Sequence, residues 1–357
     1  MTSIQGRRDA ALDNLKGLLI LSVVYVHMYD MLGQKTPLLY TIRLVVLSVQ
    51  MPLFLFLSGY FGKNVQKRRQ TAFVDYLIPF LLFNTLYYLM RAGQQPELEY
   101  GLLRPLNMYW FLLTLLLIRL LLPELLRVRG LLPLSVLLAL LAGGDSYFGR
   151  TLSLSRTVCF FPFYLLGYYC TEAHMRRIRR LPVPVALAGG ALGALLSLWM
   201  TDTLHPDGDA SHPFQLVNSY ETQGLEPWEG VLFRLSIYLI APLLGALLLR
   251  LVPSKKGLLT RIGRGSMTVY LLHAFPMLWA VRHWEWLCGL LHRLMPALAQ
   301  YDYPGRLVGG VPQLALLAAY ALLVSLALSS PAVTRTYQRM MEDVQRMLFR
   351  PPRGEEK

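Results

Sequence analysis

Residues 13–30 read DNLKGLLILSVVYVHMYD, and the reading of this stretch decides the class of the protein. It is long enough for a membrane-spanning helix, which needs ~20 predominantly apolar residues to cross a hydrocarbon core of ~30 Å. Yet it carries four ionisable side chains, Asp13, Lys16, His27 and Asp30. Each is costly at bilayer depth unless it faces protein or water. At ~100° per residue their offsets place all four within about a third of the helix circumference. Such a polar seam should face protein or water rather than lipid, and it is the first place to expect chemistry.

The rest of the chain agrees with a membrane protein. Its 357 residues are 54% hydrophobic and 16% charged, with a mean hydropathy of +0.41; a soluble protein carries about 25% charged residues. Leucine-rich runs recur from end to end. They predict an all-α fold, a polytopic membrane helix bundle with about ten transmembrane helices. The segments are 12–31, 39–61, 72–91, 107–122, 131–143, 154–171, 183–201, 231–251, 265–284 and 311–331. The fifth is shorter than the ~17–25 residues a span normally needs, and 285–300 is an alternative interfacial helix. Residues 1–334 form one membrane domain on this reading, and 335–357 a basic cytoplasmic tail.

A net charge of +14 would admit nucleic-acid binding. The basic residues, however, sit at the ends of apolar segments, as topogenic charge does. With the N-terminus in the cytoplasm, most of the 35 Lys and Arg residues fall on cytoplasmic connections, including Lys63, Lys67, Arg68, Arg69 and the Arg176–Arg180 cluster. This bias places both termini inside and argues for keeping the fifth segment, whose loss would invert that cluster. Arg7 and Arg8 precede an apolar run, but no small-residue cleavage site follows, so the run reads as an uncleaved first helix. Cys159, Cys170 and Cys288 form neither a metal-ligand spacing nor a disulfide framework. The loop 202–230 is acidic, read either as solvated or as a lid over a polar substrate. Its His205, Asp207, Asp209 and His212 fit no metal-site template, and no metal is expected. No P-loop, nucleophile elbow or zinc-protease motif occurs.

Six stretches, in order, carry a resemblance. They are LDNLKGLLILSVVYVH (12–27), MPLFLFLSGYF (51–61), YLIPF (76–80) after basic residues, YWFLLTLLL (109–117), FFPFYLLGYY (160–169) and IGRGSMTVYLLHAF (262–275). Together they resemble the acyltransferase 3 family of membrane proteins, in the branch similar to fucose 4-O-acetylase and related sugar acetyltransferases. The basic residue and His separated by ten positions, here Lys16 and His27, form that family's main signature. One departure stands out: Gln50 occupies a position where sugar-acetylase relatives often have His, and Gln cannot take up a proton near neutral pH.

The resemblance implies an integral membrane O-acyltransferase of O-acetyltransferase type. The donor would be cytosolic acetyl-CoA or another acyl-CoA, and the acceptor a carbohydrate or lipid-linked glycan at the cell surface. The site would be a bacterial inner membrane, with no metal and no nucleic-acid partner. His27 would be the general base, and Asp30, one turn on, would fix its tautomer; an interfacial Asp30 is the alternative. Lys16, about 16 Å along the helix from His27, would meet the donor's phosphates, as would Arg68 and Arg69. The alternatives are a snorkelling, topogenic lysine and topogenic arginines; Asp13, one turn before Lys16, either pairs with it or is an interfacial residue in water. Gln50, Tyr109, Trp110, Arg156 and His273 are assigned to substrate binding. Aromatic anchoring, an interfacial arginine and a paired buried histidine compete with that assignment. Ser58 and Gly59 are expected to allow close helix packing. Two other functions share these features: a transporter or flippase without acyl chemistry, and a non-catalytic membrane protein built on the same scaffold.

Overall fold

The computed structural model describes residues 9–32, 37–93, 98–145, 151–204, 213–283 and 311–348, with isolated positions at 95, 285–287, 289, 293, 302–303 and 306–307. Cys288, the acidic stretch 205–212 and most of 285–300 lie outside the described residues, as do residues 349–357 of the tail. The fold is helical, apart from a two-residue antiparallel pairing of Asp302–Tyr303 with Arg306–Leu307. The chain forms two compact units, one made of residues 1–34 with 252–357 and the other of residues 35–251.

Every predicted segment is helical. Six helices are long and apolar enough to cross a membrane: Ala10–Met31, Leu39–Tyr60, Phe73–Ala92, Asn107–Leu125, Val183–Met200 and Pro227–Leu251. A bent pair, Leu314–Leu328 with Pro331–Leu348, qualifies as a seventh if its 55° bend lies within one span. The protein is therefore a multi-pass membrane protein. The expected ten is not reached by length, for a physical reason. Helix Leu131–Leu141 has 11 residues, which reach ~17 Å of a ~30 Å core. Helix Leu154–Tyr169 has 16 residues. The ninth segment begins at Gly265, where it is separated from the helix Leu258–Arg264, and is broken at His273. The basic tail continues as a helix to Leu348. Val333, Thr334, Tyr337, Met340, Met341 and Val344 form its less exposed stripe, at the spacing of an amphipathic helix.

The first unit is built on α1 (Ala10–Leu32), with α11 (Leu258–Arg264), α12 (Ser266–Leu272), α13 (Ala274–Arg282), α14 (Val311–Leu328) and α15 (Pro331–Leu348). Two glycines bring α1 and α11 into backbone contact. A Cβ on Gly17 would overlap the Leu259 carbonyl, and one on Gly263 would overlap the Asp13 carbonyl. Asn14, 1% exposed, pins the approach. Its Nδ2 donates to the Pro253 and Lys255 carbonyls (2.7 and 2.9 Å), and its Oδ1 accepts from Thr260 Oγ1 (2.5 Å). Because the obstacle at Gly263 is backbone, Gly263→Ala is expected to cost ~3 kcal/mol or more. Thermal unfolding in detergent checks this against Gly257→Ala, where a Cβ meets nothing within 4 Å.

The second unit runs from α2 (Pro37–Tyr60) to α10 (Pro227–Leu251). Between them come α3 (Val65–Gln70), a π-helical turn (Phe73–Leu77) leading into α4 (Ile78–Ala92), α5 (Trp110–Leu125), α6 (Leu131–Leu141), α7 (Leu154–Tyr169), α8 (Glu172–Arg179) and α9 (Val183–Leu204). Helices α2 and α7 pack reciprocally: a Cβ on Gly59 would strike the Tyr164 carbonyl, and one on Gly167 the Phe56 carbonyl. This is the close approach that Ser58 and Gly59 predict. The described part of the acidic loop is packed down onto α6. Tyr220 N–H donates to Gly143 C=O (2.7 Å) and its hydroxyl to Leu140 C=O (2.6 Å). The buried guanidinium of Arg234 donates to the Ala139 and Asn218 carbonyls (2.8 and 3.1 Å).

Candidate active site

In the first unit the fold joins two of the residues singled out above. His27 Nδ1 lies 2.9 Å from His273 Nε2, with the two ring planes 6° from parallel. His273 is fully buried, at the break between α12 and α13. Its other ring nitrogen, Nδ1, faces two carbonyl oxygens, Tyr270 at 2.8 Å and Val269 at 3.0 Å. A carbonyl only accepts, so His273 Nδ1 must carry the proton. In neutral His273, Nε2 is then an acceptor. The shared bond must therefore be donated by His27 Nδ1–H, and the lone pair of neutral His27 resides on Nε2. Two backbone carbonyls thus set the tautomer of a half-buried histidine through a second histidine, much as a carboxylate orients the histidine of a hydrolase triad.

Lys16 and Asp13 lie nearer the start of α1. Lys16 Nζ is 2.7 Å from Asp13 Oδ1, and Arg264 Nε is 3.2 Å from Asp13 Oδ2. The Asp13 side chain is 3% exposed and its partners are 21% and 42% exposed, so one buried carboxylate anchors two wetter cations. The expected pairing of Asp13 with Lys16 is present, and Arg264 is an addition. Asp13→Asn is expected to destabilise the unit by ~1–3 kcal/mol, since two cations then face a neutral amide; thermal unfolding measures this. Asp30 is exposed, and the His27 nitrogen that fixes the tautomer is bonded to His273.

The remaining candidates belong to the second unit. Gln50 is buried in α2, Tyr109 is fully buried, and Trp110 is 8% exposed. The Arg156 guanidinium lies over the Trp110 ring at 4.7 Å and donates from Nε to the Gln215 carbonyl at 3.1 Å. The backbone around this end is tied together. Leu106 N–H donates to Asn84 Oδ1 (2.8 Å), Leu152 N–H to Leu103 C=O (2.9 Å) and Ser155 Oγ to Leu216 C=O (2.9 Å). Four non-glycine residues here, Asn107, Leu152, Ser153 and Leu216, have φ between 45° and 55°, a costly conformation that accumulates at sites where position matters. Arg68 and Arg69 are exposed on α3 at the opposite end of the unit, Arg69 beside Glu124 at 3.7 Å. A cavity of about 360 Å³ lies among Pro52, Phe56, Phe163, Tyr169, His174 and Pro242. Its largely apolar walls suit hydrocarbon rather than sugar.

The pairing of His27 with His273 is not readable from either residue alone, and Arg119, buried within α5, was not among the candidates. The signal for Arg119 was available, because a charge deep in an apolar segment is expensive and marks a site by default. No curated protein and no solved structure matches the chain significantly. Residues 9–330, nearly the whole chain, match the family model described as an acyltransferase domain, Acyl_transf_3. The chain therefore belongs to the membrane acyltransferases of that family.

Proposed function

We propose that this acyltransferase moves an acetyl or other short acyl group from cytosolic acyl-CoA to a hydroxyl of a surface or lipid-linked carbohydrate. It would act in a bacterial inner membrane with both termini cytoplasmic, in the manner of the sugar O-acetylases that the sequence resembles. The observation that carries the reading is the histidine pair. A base for this chemistry needs an unprotonated nitrogen and a partner that steadies the cation formed on protonation. His27 Nε2 and His273 meet those needs, with the 2.9 Å contact between the rings.

In the proposed step His27 Nε2 takes the acceptor hydroxyl proton as the oxygen attacks the thioester carbon. The C–S bond breaks and the thiolate leaves with its electron pair. His27 returns the proton to sulfur, giving an ester and free CoA. His273 holds the imidazolium through the bond to Nδ1. Lys16 with Arg264, and Arg68 with Arg69, are the groups proposed to meet the donor's phosphates. Gln50, Tyr109, Trp110 and Arg156 are proposed to contact the acceptor, with the Trp110 ring and Arg156 offering stacking and hydrogen bonding to a sugar. Asp30, one turn beyond His27, is proposed as the second catalytic group of the seam, with an interfacial position as its alternative.

The test is mass spectrometry of surface glycans from cells with and without the protein, alongside CoA release by protein reconstituted in nanodiscs with acetyl-CoA. A mass difference matching an acyl group, with CoA release dependent on acceptor, is the expected result. Unchanged glycans and no acceptor-dependent CoA release would overturn the assignment in favour of a transporter or non-catalytic role.

A further inference from the structure

Arg119 lies in α5 six residues before its end at Leu125, ~9 Å inside by helical rise. It is 5% exposed. Its Nε and Nη1 are buried with no hydrogen-bond partner, and so is the Tyr164 hydroxyl. Two aromatic faces flank the guanidinium carbon, Tyr76 at 5.9 Å and Tyr164 at 6.0 Å. Among the described residues no carboxylate pairs with it, unlike Asp13 with its two cations or Glu124 with Arg69 and Arg127. A guanidinium cannot shed its proton to escape burial. Two ring faces and a hydrogen bond to the Tyr76 hydroxyl offset only part of the cost of desolvating it, because Nε and Nη1 are left without an acceptor. Arg234, equally buried, has two carbonyl acceptors instead.

The surroundings point to the missing partner. Tyr76 sits in the π-helical turn Phe73–Leu77, an irregularity frequent at functional sites. Thr71 ties the start of that turn by donating to Asp75 at 2.7 Å. Helix α3 and this turn both pack against α5, and Arg68 is exposed on α3 beside Lys67 and Arg69. Gly62 makes room for the buried Tyr164 hydroxyl, because a Cβ there would press within 2.5 Å of the hydroxyl oxygen. An exposed cationic rim thus leads to a buried cation and a hydroxyl donor, which is how a phosphate is bound: steered by charge, then held by Arg and O–H groups.

We propose that Arg119, Tyr76 and Tyr164 form a buried phosphate-binding site just inside the basic end of the second unit, with Arg68 at its mouth. The ligand is a phosphate ester, carried either by a nucleotide such as CoA or by an anionic lipid headgroup. With CoA as the ligand the site rests on the donor-binding role proposed for Arg68, and with a lipid headgroup it does not; binding is measured without turnover. The full-length protein, delipidated in neutral detergent, is titrated separately with CoA, dioctanoyl phosphatidylglycerol and inorganic phosphate, following melting temperature and dissociation constant. Arg119→Met is expected to weaken the bound phosphate at least tenfold and Tyr164→Phe several-fold, with Arg119→Lys between wild type and Arg119→Met. The ligand-free melting temperature of Arg119→Met should equal or exceed that of wild type, because a buried charge with two unsatisfied nitrogens has been removed. Tight CoA binding with weak lipid binding names the nucleotide, and the reverse names the lipid. A lower ligand-free melting temperature for Arg119→Met, or phosphate-ester binding indifferent to Arg119 and Tyr164, would overturn the site. So would wild type that binds none of the three probes.

Discussion

His27→Ala is expected to leave a folded, inserted protein whose acyl transfer is reduced by about 10²–10⁴-fold, the range contributed by a positioned general base. His27 is only half-buried, so truncation opens no large cavity. The backbone contacts that seat α1, at Gly17 and Gly263, and the Asn14 hydrogen bonds to the 253–255 turn lie at the other end of the helix. The loss should appear in kcat rather than in KM for acyl-CoA, because the proposed base acts on the acceptor proton and not on the donor's phosphates. Acceptor-dependent CoA release in nanodiscs measures it, with melting temperature as the control for folding. Full turnover in a well-folded His27→Ala protein would remove the base from the mechanism.

The seam on α1 was legible because it is local. Asp13 and Lys16 are three residues apart, and their ion pair follows from helical geometry alone. The topogenic clusters and the Leu-rich periodicity likewise gave helices where helices occur. What was not legible depends on contacts distant in sequence. His27 and His273 are separated by 246 residues, and no pattern around either one announces the other. The same holds for Arg264 reaching Asp13 across 251 residues. The breaks at Gly265 and His273 divide readability in another way. Glycine is a weak helix former and a natural place to end one. At His273 the ring turns back to the Val269 and Tyr270 carbonyls, and Pro276 has no N–H to offer the Leu272 carbonyl. Arg119 belongs to a third kind: its position was plain in the sequence, but its lack of a carboxylate partner required the fold.

His273 gives the second large effect, and separates a positioning role from a structural one. His273→Ala removes the acceptor for His27 Nδ1–H and the donor to the two carbonyls at the α12–α13 break. The buried carbonyls then lose a partner, which is expected to cost ~1–3 kcal/mol of stability. Activity should fall by roughly 10²-fold through loss of the fixed tautomer and of support for the imidazolium, with KM for acyl-CoA little changed. A purely structural His273 would lower stability and the amount of active enzyme without coupling to His27. Three readouts distinguish the two roles. First, His273→Gln, whose side-chain oxygen can accept from His27 Nδ1–H, should recover about tenfold of the lost kcat even if its melting temperature stays low. Second, kcat per folded molecule should fall in His273→Ala, as active-site or burst titration would reveal. Third, His27→Ala/His273→Ala should be no slower than His27→Ala alone, since positioning has no value once the positioned group is gone. Multiplicative losses in the double variant would mean that the two rings act separately, and the bond between them would then carry no catalytic meaning.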